Sequence, residues 1–133
     1  MIYIDSSVVL AYLLSETRIP DAKLWQEPLI SSRLIEYETW SVLHGRSAAL
    51  TLRNYARELL VRIDFIELQP IVLHKIIEGF PVTVRTLDGI HLATMDFIQS
   101  QGMKIRLATY DQRLGKAALA IGINMASEFI PVQ

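Results

Sequence analysis

Four carboxylates carry the chemistry open to this sequence: Asp5, Glu38, Asp88 and Asp111. Asp88 is the most telling. It stands in Thr86-Leu87-Asp88-Gly89-Ile90-His91-Leu92-Ala93, among small and apolar neighbours at the start of an expected helix. Thr86 is placed to cap the first turn, which puts Asp88 near the positive end of the helix dipole, where an ionised carboxylate is favoured. A charge held beside apolar surface needs a base, a cation or a metal as partner. Asp5 closes one short β-prone stretch, Met1 to Ile4, and Asp111 follows another, Lys104 to Thr109. Acids at the carboxyl ends of parallel strands share one sheet edge, the edge where open α/β sheets place their ligands. Four carboxylates gathered there without a counter-charge would repel, and some would stay protonated. Mg²⁺ or Mn²⁺ removes that conflict. Both ions prefer oxygen ligands, and such an ion lowers the pKa of bound water and stabilises charge on a phosphodiester being cleaved. Taken singly, Asp5 reads as a helix cap and Glu38 as a solvated helix glutamate; the metal reading belongs to the set of four.

The elements that must position these acids alternate along the chain. A strand over 1–4 turns at Asp5-Ser6-Ser7 into a helix that is apolar nearly all round, with Val8, Val9, Leu10, Ala11, Leu13 and Leu14. A polar connection over 17–27 leads to a second strand over 28–32. Helices are expected over 34–46 and 50–63, a strand over 64–68 and a helix over 70–78, opened by Pro70. The Asp88 helix runs to about residue 101, with Leu87, Ile90, Thr94 and Phe97 as its apolar face, and Gly102 ends it. A strand over 104–109, a helix over 113–121 and a short final strand over 123–126 complete the chain. Strands alternating with helices predict a parallel sheet covered on both faces, an α/β fold. The 133 residues predict one domain over 1–133.

In this order and setting the motifs resemble a known family. Ile4-Asp5-Ser6-Ser7, Ser32 with Glu38 six residues on, the run from Leu87 to Ala93, and Thr109-Tyr110-Asp111-Gln112-Arg113-Leu114 look like the four motifs of PIN-domain ribonucleases. Length and the last two motifs are most similar to the VapC-type toxins of prokaryotic toxin–antitoxin modules. The resemblance covers essentially the whole chain. It implies a three-layer α/β/α fold with a mainly parallel sheet, and Mg²⁺- or Mn²⁺-dependent endonucleolytic hydrolysis of RNA. It also implies a homodimer and inhibition by a cognate antitoxin. By resemblance, Asp5, Glu38, Asp88 and Asp111 form the acidic quartet. Asp5 and Asp88 are the leading metal ligands, with Glu38 and Asp111 completing the site. Ser6 or Ser7 and Thr109 occupy the supporting hydroxyl positions. The sequence departs from some members at Gly115, where another acid would stand. The stretch 47–84 carries no matching motif.

Other candidates have plainer readings. Asp96 lies eight residues past Asp88, about 12 Å along a helix, and is read as surface charge. His91 is read as a structural hydrogen-bonding group rather than a ligand, given hard oxygen chemistry nearby. His44 and His74 are read as packing or surface groups, and Arg46 as a salt-bridge partner. Trp25 and Trp40 fit either a core or an interface. A catalytically inactive PIN domain that binds RNA or protein is the principal alternative. A phosphotransfer domain with Asp5 as nucleophile is a third reading; Ser7 stands where such enzymes carry a second aspartate.

Bulk properties set the outer bounds. There is no cysteine, which excludes disulfides, thiolate metal sites and cysteine nucleophiles. No apolar run is long enough to span a bilayer, and the N-terminus lacks a basic leader, so the expected location is cytoplasmic with no membrane contact. The net charge is −1, less basic than a nucleic-acid coat protein. With four of the 14 acids reserved for metal, 10 remain against 13 basic residues, a balance of +3 that is compatible with an RNA contact.

Overall fold

The computed structural model describes residues 1–130. Its centre is a sheet of four strands: β1 (Ile2–Ile4), β2 (Leu29–Ser32), β3 (Ile63–Ile66) and β4 (Arg106–Ala108). All neighbours are parallel, in the order β3-β2-β1-β4. Six α-helices stand among the described residues: α1 (Ser6–Leu13), α2 (Leu34–Gly45), α3 (Ala49–Leu60), α4 (Pro70–Glu78), α5 (Thr86–Ser100) and α6 (Gln112–Ala120).

Strand side chains alternate between two apolar layers, as a sheet covered on both faces requires. Ile4, Leu29, Ile63 and Ala108 join α1, α2 and α3 in one core. Tyr3, Ile30 and Leu107 join α5 and α6 in the other. Helix α4 packs on α5. The result is the expected three-layer α/β/α arrangement. Trp25 falls in the first core, 7% exposed, and Trp40 packs against it.

The strand order fixes where a ligand would sit. From β1 the chain steps outward to β2 and β3, then crosses back to lay β4 on the other side of β1. The direction of winding reverses between β1 and β4, and the crevice at the carboxyl ends of strands flanking such a reversal is the usual ligand site of open sheets. Asp5 immediately follows β1, and Asp111 follows β4 by three residues.

Several local expectations are corrected. Thr86 is not the cap of α5: Arg85 occupies that position in extended conformation, and no side chain caps the helix. The expected apolar face of α5 is also displaced. Leu87 is 52% exposed, while His91, Leu92, Met95 and Ile98 are buried. The helix lies between sheet, α4 and α6, so its buried stripe follows positions 91, 95 and 98. Extended back by one turn, that stripe reaches Asp88, which is half-buried. The final strand reduces to a single bridge, Leu107 to Met125, with Leu107 bonded through both its N–H and C=O to Asn124 and Ala126. Helix α3 ends at Leu60, and β3 begins at Ile63 in place of Asp64. The connection over 17–27 contains a 3₁₀ turn, Ala22–Gln26, capped by Asp21.

Candidate functional site

Asp5 occupies the N-cap position of α1, yet its carboxylate makes no capping bond to that helix. The cap reading of Asp5 is therefore incomplete. Its Oδ1 accepts instead from the Ser7 hydroxyl at 2.6 Å. Ser7 Oγ in turn accepts from the Tyr110 N–H at 3.0 Å and lies 3.3 Å from Thr109 Oγ1. Thr109 Oγ1 accepts from the Asp111 N–H at 2.9 Å. The turns after β1 and β4 are thus stitched together by two hydroxyls, and Ser7, rather than Ser6, is the serine that does it. Asp111 is a true cap: its Oδ1 accepts from the N–H groups of Arg113 and Leu114, at 2.9 and 3.2 Å.

Glu38 reaches the same region from α2. Its Oε1 lies 2.7 Å from Nε2 of His91, and its side chain is 19% exposed. The solvated-glutamate reading does not hold. His91, 2% exposed, bonds through Nδ1 to the Tyr3 hydroxyl at 2.6 Å. The structural reading of His91 agrees with this arrangement.

The electrostatics bind the four acids into one neighbourhood. Asp5 is 6% exposed, and its carboxyl is pushed up from 3.8 to about 6, chiefly by burial, with the Ser7 bond opposing and the Glu38 charge adding. Asp88 is raised as well, by desolvation first and then by Asp111 and Glu38. No lysine or arginine pairs with any of the four among the described residues. Burial raises the proton affinity of both aspartates, offset only in part at Asp88 by His91 and Arg85, and a bound cation would lower it.

The donor set fits a hard divalent ion, since all four groups are carboxylates. No three of these side chains already stand as a coordination group among the described residues. A Mg²⁺ ion commonly takes one or two carboxylates with water and substrate phosphate filling the rest. Ser7 engages one oxygen of Asp5, and no side-chain hydrogen bond engages Asp88 among the described residues. Asp111 is engaged as a cap and Glu38 as a hydrogen-bond partner of His91.

An open cleft of about 550 Å³ lies beside Asp111, lined by Ser7, Leu10, Glu16, Thr17, Arg18 and Tyr110. Asp111 is in its lining and Asp5, Glu38 and Asp88 are not, so of the four acids Asp111 alone opens into this cleft. Arg18 lies over the Tyr110 ring at 4.9 Å and approaches its carbonyl at 3.5 Å. Sequence reasoning missed three members of this region: Tyr3, Arg18 and Tyr110. Tyr3 had a signal, being the one residue with a polar atom in an aliphatic strand whose buried hydroxyl must find a partner. Arg18 had none, because its place beside Asp111 depends on the path of a polar loop. Asp96 is half-buried on α5, while Arg46 is exposed and joins no ion pair among the described residues. His44 and His74 are exposed, and His74 pairs with Glu78 at 3.4 Å.

The family model for the PIN domain matches residues 2–119. Two curated relatives from Mycobacterium tuberculosis are similar over nearly the full chain. Ribonuclease VapC46 of strain ATCC 25618 / H37Rv is 33% identical over 128 residues, covering 92% of this chain and 93% of the relative. Ribonuclease VapC47 of strain CDC 1551 / Oshkosh is 30% identical over 134 residues, covering 96% of each.

Proposed function

The chain belongs to the PIN domain family, and on that premise we propose that it is a Mg²⁺- or Mn²⁺-dependent endoribonuclease. We propose further that it is the cytoplasmic toxin of a type II, VapBC-type toxin–antitoxin pair, held inactive by its antitoxin. Both curated relatives carry the name ribonuclease and the VapC designation. The observation that carries the reading is Asp5: a carboxylate 6% exposed at the reversal point of a parallel sheet, in no ion pair with lysine or arginine among the described residues, with the Glu38 charge raising its proton affinity further. No helix among the described residues is long and apolar enough to cross a membrane. Ile71, Ile77 and Leu87 are exposed on the adjoining helices α4 and α5, and supply apolar surface suited to a homodimer or antitoxin contact.

In this reading Asp5 and Asp88 hold the ion, with Glu38 and Asp111 completing the charge balance. Bound there, a divalent ion supplies polarised water and neutralises charge building on the scissile phosphate. Ser7 fixes the Asp5 carboxylate through the 2.6 Å bond and keeps it aligned with the β4 turn. Glu38, bonded to His91, would accept a proton from attacking water. Arg18 and Tyr110, at the cleft beside Asp111, offer a cation and an aromatic face to a neighbouring nucleotide.

The test is cleavage of a mixed RNA pool by purified protein with Mg²⁺, Mn²⁺ or EDTA, beside Asp88→Asn. Metal-stimulated cleavage that the variant loses while remaining folded is the expected result. Undiminished cleavage by the variant overturns the assignment. Tight RNA binding by the wild type with no metal-stimulated turnover reassigns the chain as a binding module.

A further inference from the structure

We propose that Tyr3 and His91 are positioning residues that lock the Glu38 carboxylate in the orientation in which it completes the site around a divalent ion and faces the ion's water. The inference rests on the metal-dependent reading above and extends it to two residues buried in the second core, outside the acid set.

The hydrogen-bond partners assign the protons along the chain. Ser32 donates its backbone N–H to the Tyr3 oxygen at 3.2 Å, leaving the phenolic proton free to be donated. In the neutral imidazole whose Nδ1 accepts, that proton goes to His91 Nδ1, 2.6 Å away. An imidazole whose Nδ1 accepts carries its hydrogen on Nε2, and Nε2 faces Glu38 Oε1 at 2.7 Å. The sequence Ser32 N–H to Tyr3 O–H to His91 Nε2–H to Glu38 has each donor matched to one acceptor. The opposite tautomer would set an unprotonated Nε2 against an ionised carboxylate, two acceptors face to face.

The line is rigid at its base. Tyr3 is fully buried in β1, and its ring meets the His91 ring edge-on, 87° between planes with centroids 5.7 Å apart. Glu38, the last member, has the most rotatable side chain of the line, and fixing it costs rotamer entropy. A bond from a buried imidazole fixes one oxygen and leaves Oε2 available. Outer partners of this kind change metal affinity or activity by about 10–100-fold when removed.

The experiment measures the Mn²⁺ concentration giving half-maximal thermal stabilisation, with Mn²⁺ alone as probe, and RNA-cleavage kcat at saturating Mn²⁺. The proteins are wild type, Tyr3→Phe, His91→Gln, His91→Leu, Glu38→Gln and the double variant Glu38→Gln/His91→Leu. His91→Leu is expected to raise the half-saturating concentration about 10-fold or more. His91→Gln, which keeps a donor for Glu38, recovers most of that loss, and Tyr3→Phe falls between. In the Glu38→Gln background, adding His91→Leu changes nothing further, because its effect runs through Glu38. A histidine that only supports the core would cost the same in both backgrounds, and that additivity overturns the proposal. So do wild-type values in Tyr3→Phe and His91→Gln together with a normal or unfolded His91→Leu. A wild type neither stabilised by Mn²⁺ nor able to cleave RNA overturns the nuclease reading itself; a responsive wild type whose variants all keep its half-saturating concentration and kcat overturns only the positioning role.

Discussion

Replacing Asp5 by asparagine should make the metal-free protein more stable and inactive. The buried carboxyl is displaced from 3.8 in an unfolded chain to about 6 in the fold. Each tenfold in proton affinity is about 1.4 kcal/mol, so the ionised form is penalised by ~3 kcal/mol on folding. The sign follows from linkage: between 3.8 and about 6 the unfolded chain releases its proton first, the native state holds more, and stability falls as pH rises. Above about pH 6 the whole penalty stands, and below about pH 4 it vanishes. Asparagine is nearly isosteric, can still accept from the Ser7 hydroxyl, and carries no charge. At about pH 7.5 without divalent ions, Asp5→Asn should therefore gain up to ~3 kcal/mol over the wild type, about 10 °C in Tm for a chain this size. The two proteins should converge near pH 4. Adding Mn²⁺ should close the gap by stabilising only the wild type. Urea unfolding at both pH values, with and without Mn²⁺, reads all three effects. Equal stability of the two proteins at the higher pH would show that burial does not penalise the Asp5 charge, and the physical case for a cation at that carboxylate would fail.

Three further substitutions separate structural from chemical roles. Asp111→Ala removes a cap that serves two N–H groups and should cost about 0.5–2 kcal/mol, whereas Asp111→Asn keeps the cap and should lower cleavage alone; denaturant midpoints and cleavage rates on both variants decide. A Cβ at position 115 would meet Met125 Sδ at 3.2 Å, and the position is buried, so Gly115→Asp, which adds bulk and buries a carboxylate there, should destabilise by about 1–3 kcal/mol. An unchanged urea midpoint would remove that explanation for the glycine. Arg18→Ala, made in the inactive Asp5→Asn background, should weaken RNA binding and flatten the log affinity against log salt slope by about 0.7, the loss of one phosphate contact on a single strand. An unchanged slope would place Arg18 off the RNA path.

What the sequence made readable was whatever depends on one element at a time. Asp5 and Asp111 were placed at strand ends from local alternation, and β1 and β4 proved to be adjacent, so both acids fell beside the reversal of the sheet. Glu38 was opaque for a physical reason. Its environment is made by His91, 53 residues away, and behind that by Tyr3, 88 residues from His91, so no window along the chain contains the information. Helix α5 shows the same limit in reverse. Its periodicity is helical, as the structure has it, but apolar types alone point to the wrong face, because the neighbours of the helix decide which face is buried. A buried histidine counts against an apolar face until its tyrosine and glutamate partners are known. Once they are, His91 belongs to the same stripe as Leu92, Met95 and Ile98, and the acid one turn before it belongs there too. The placement of Asp88 and the burial of His91 are thus one fact: the face that packs α5 onto the sheet is the face that carries its carboxylate.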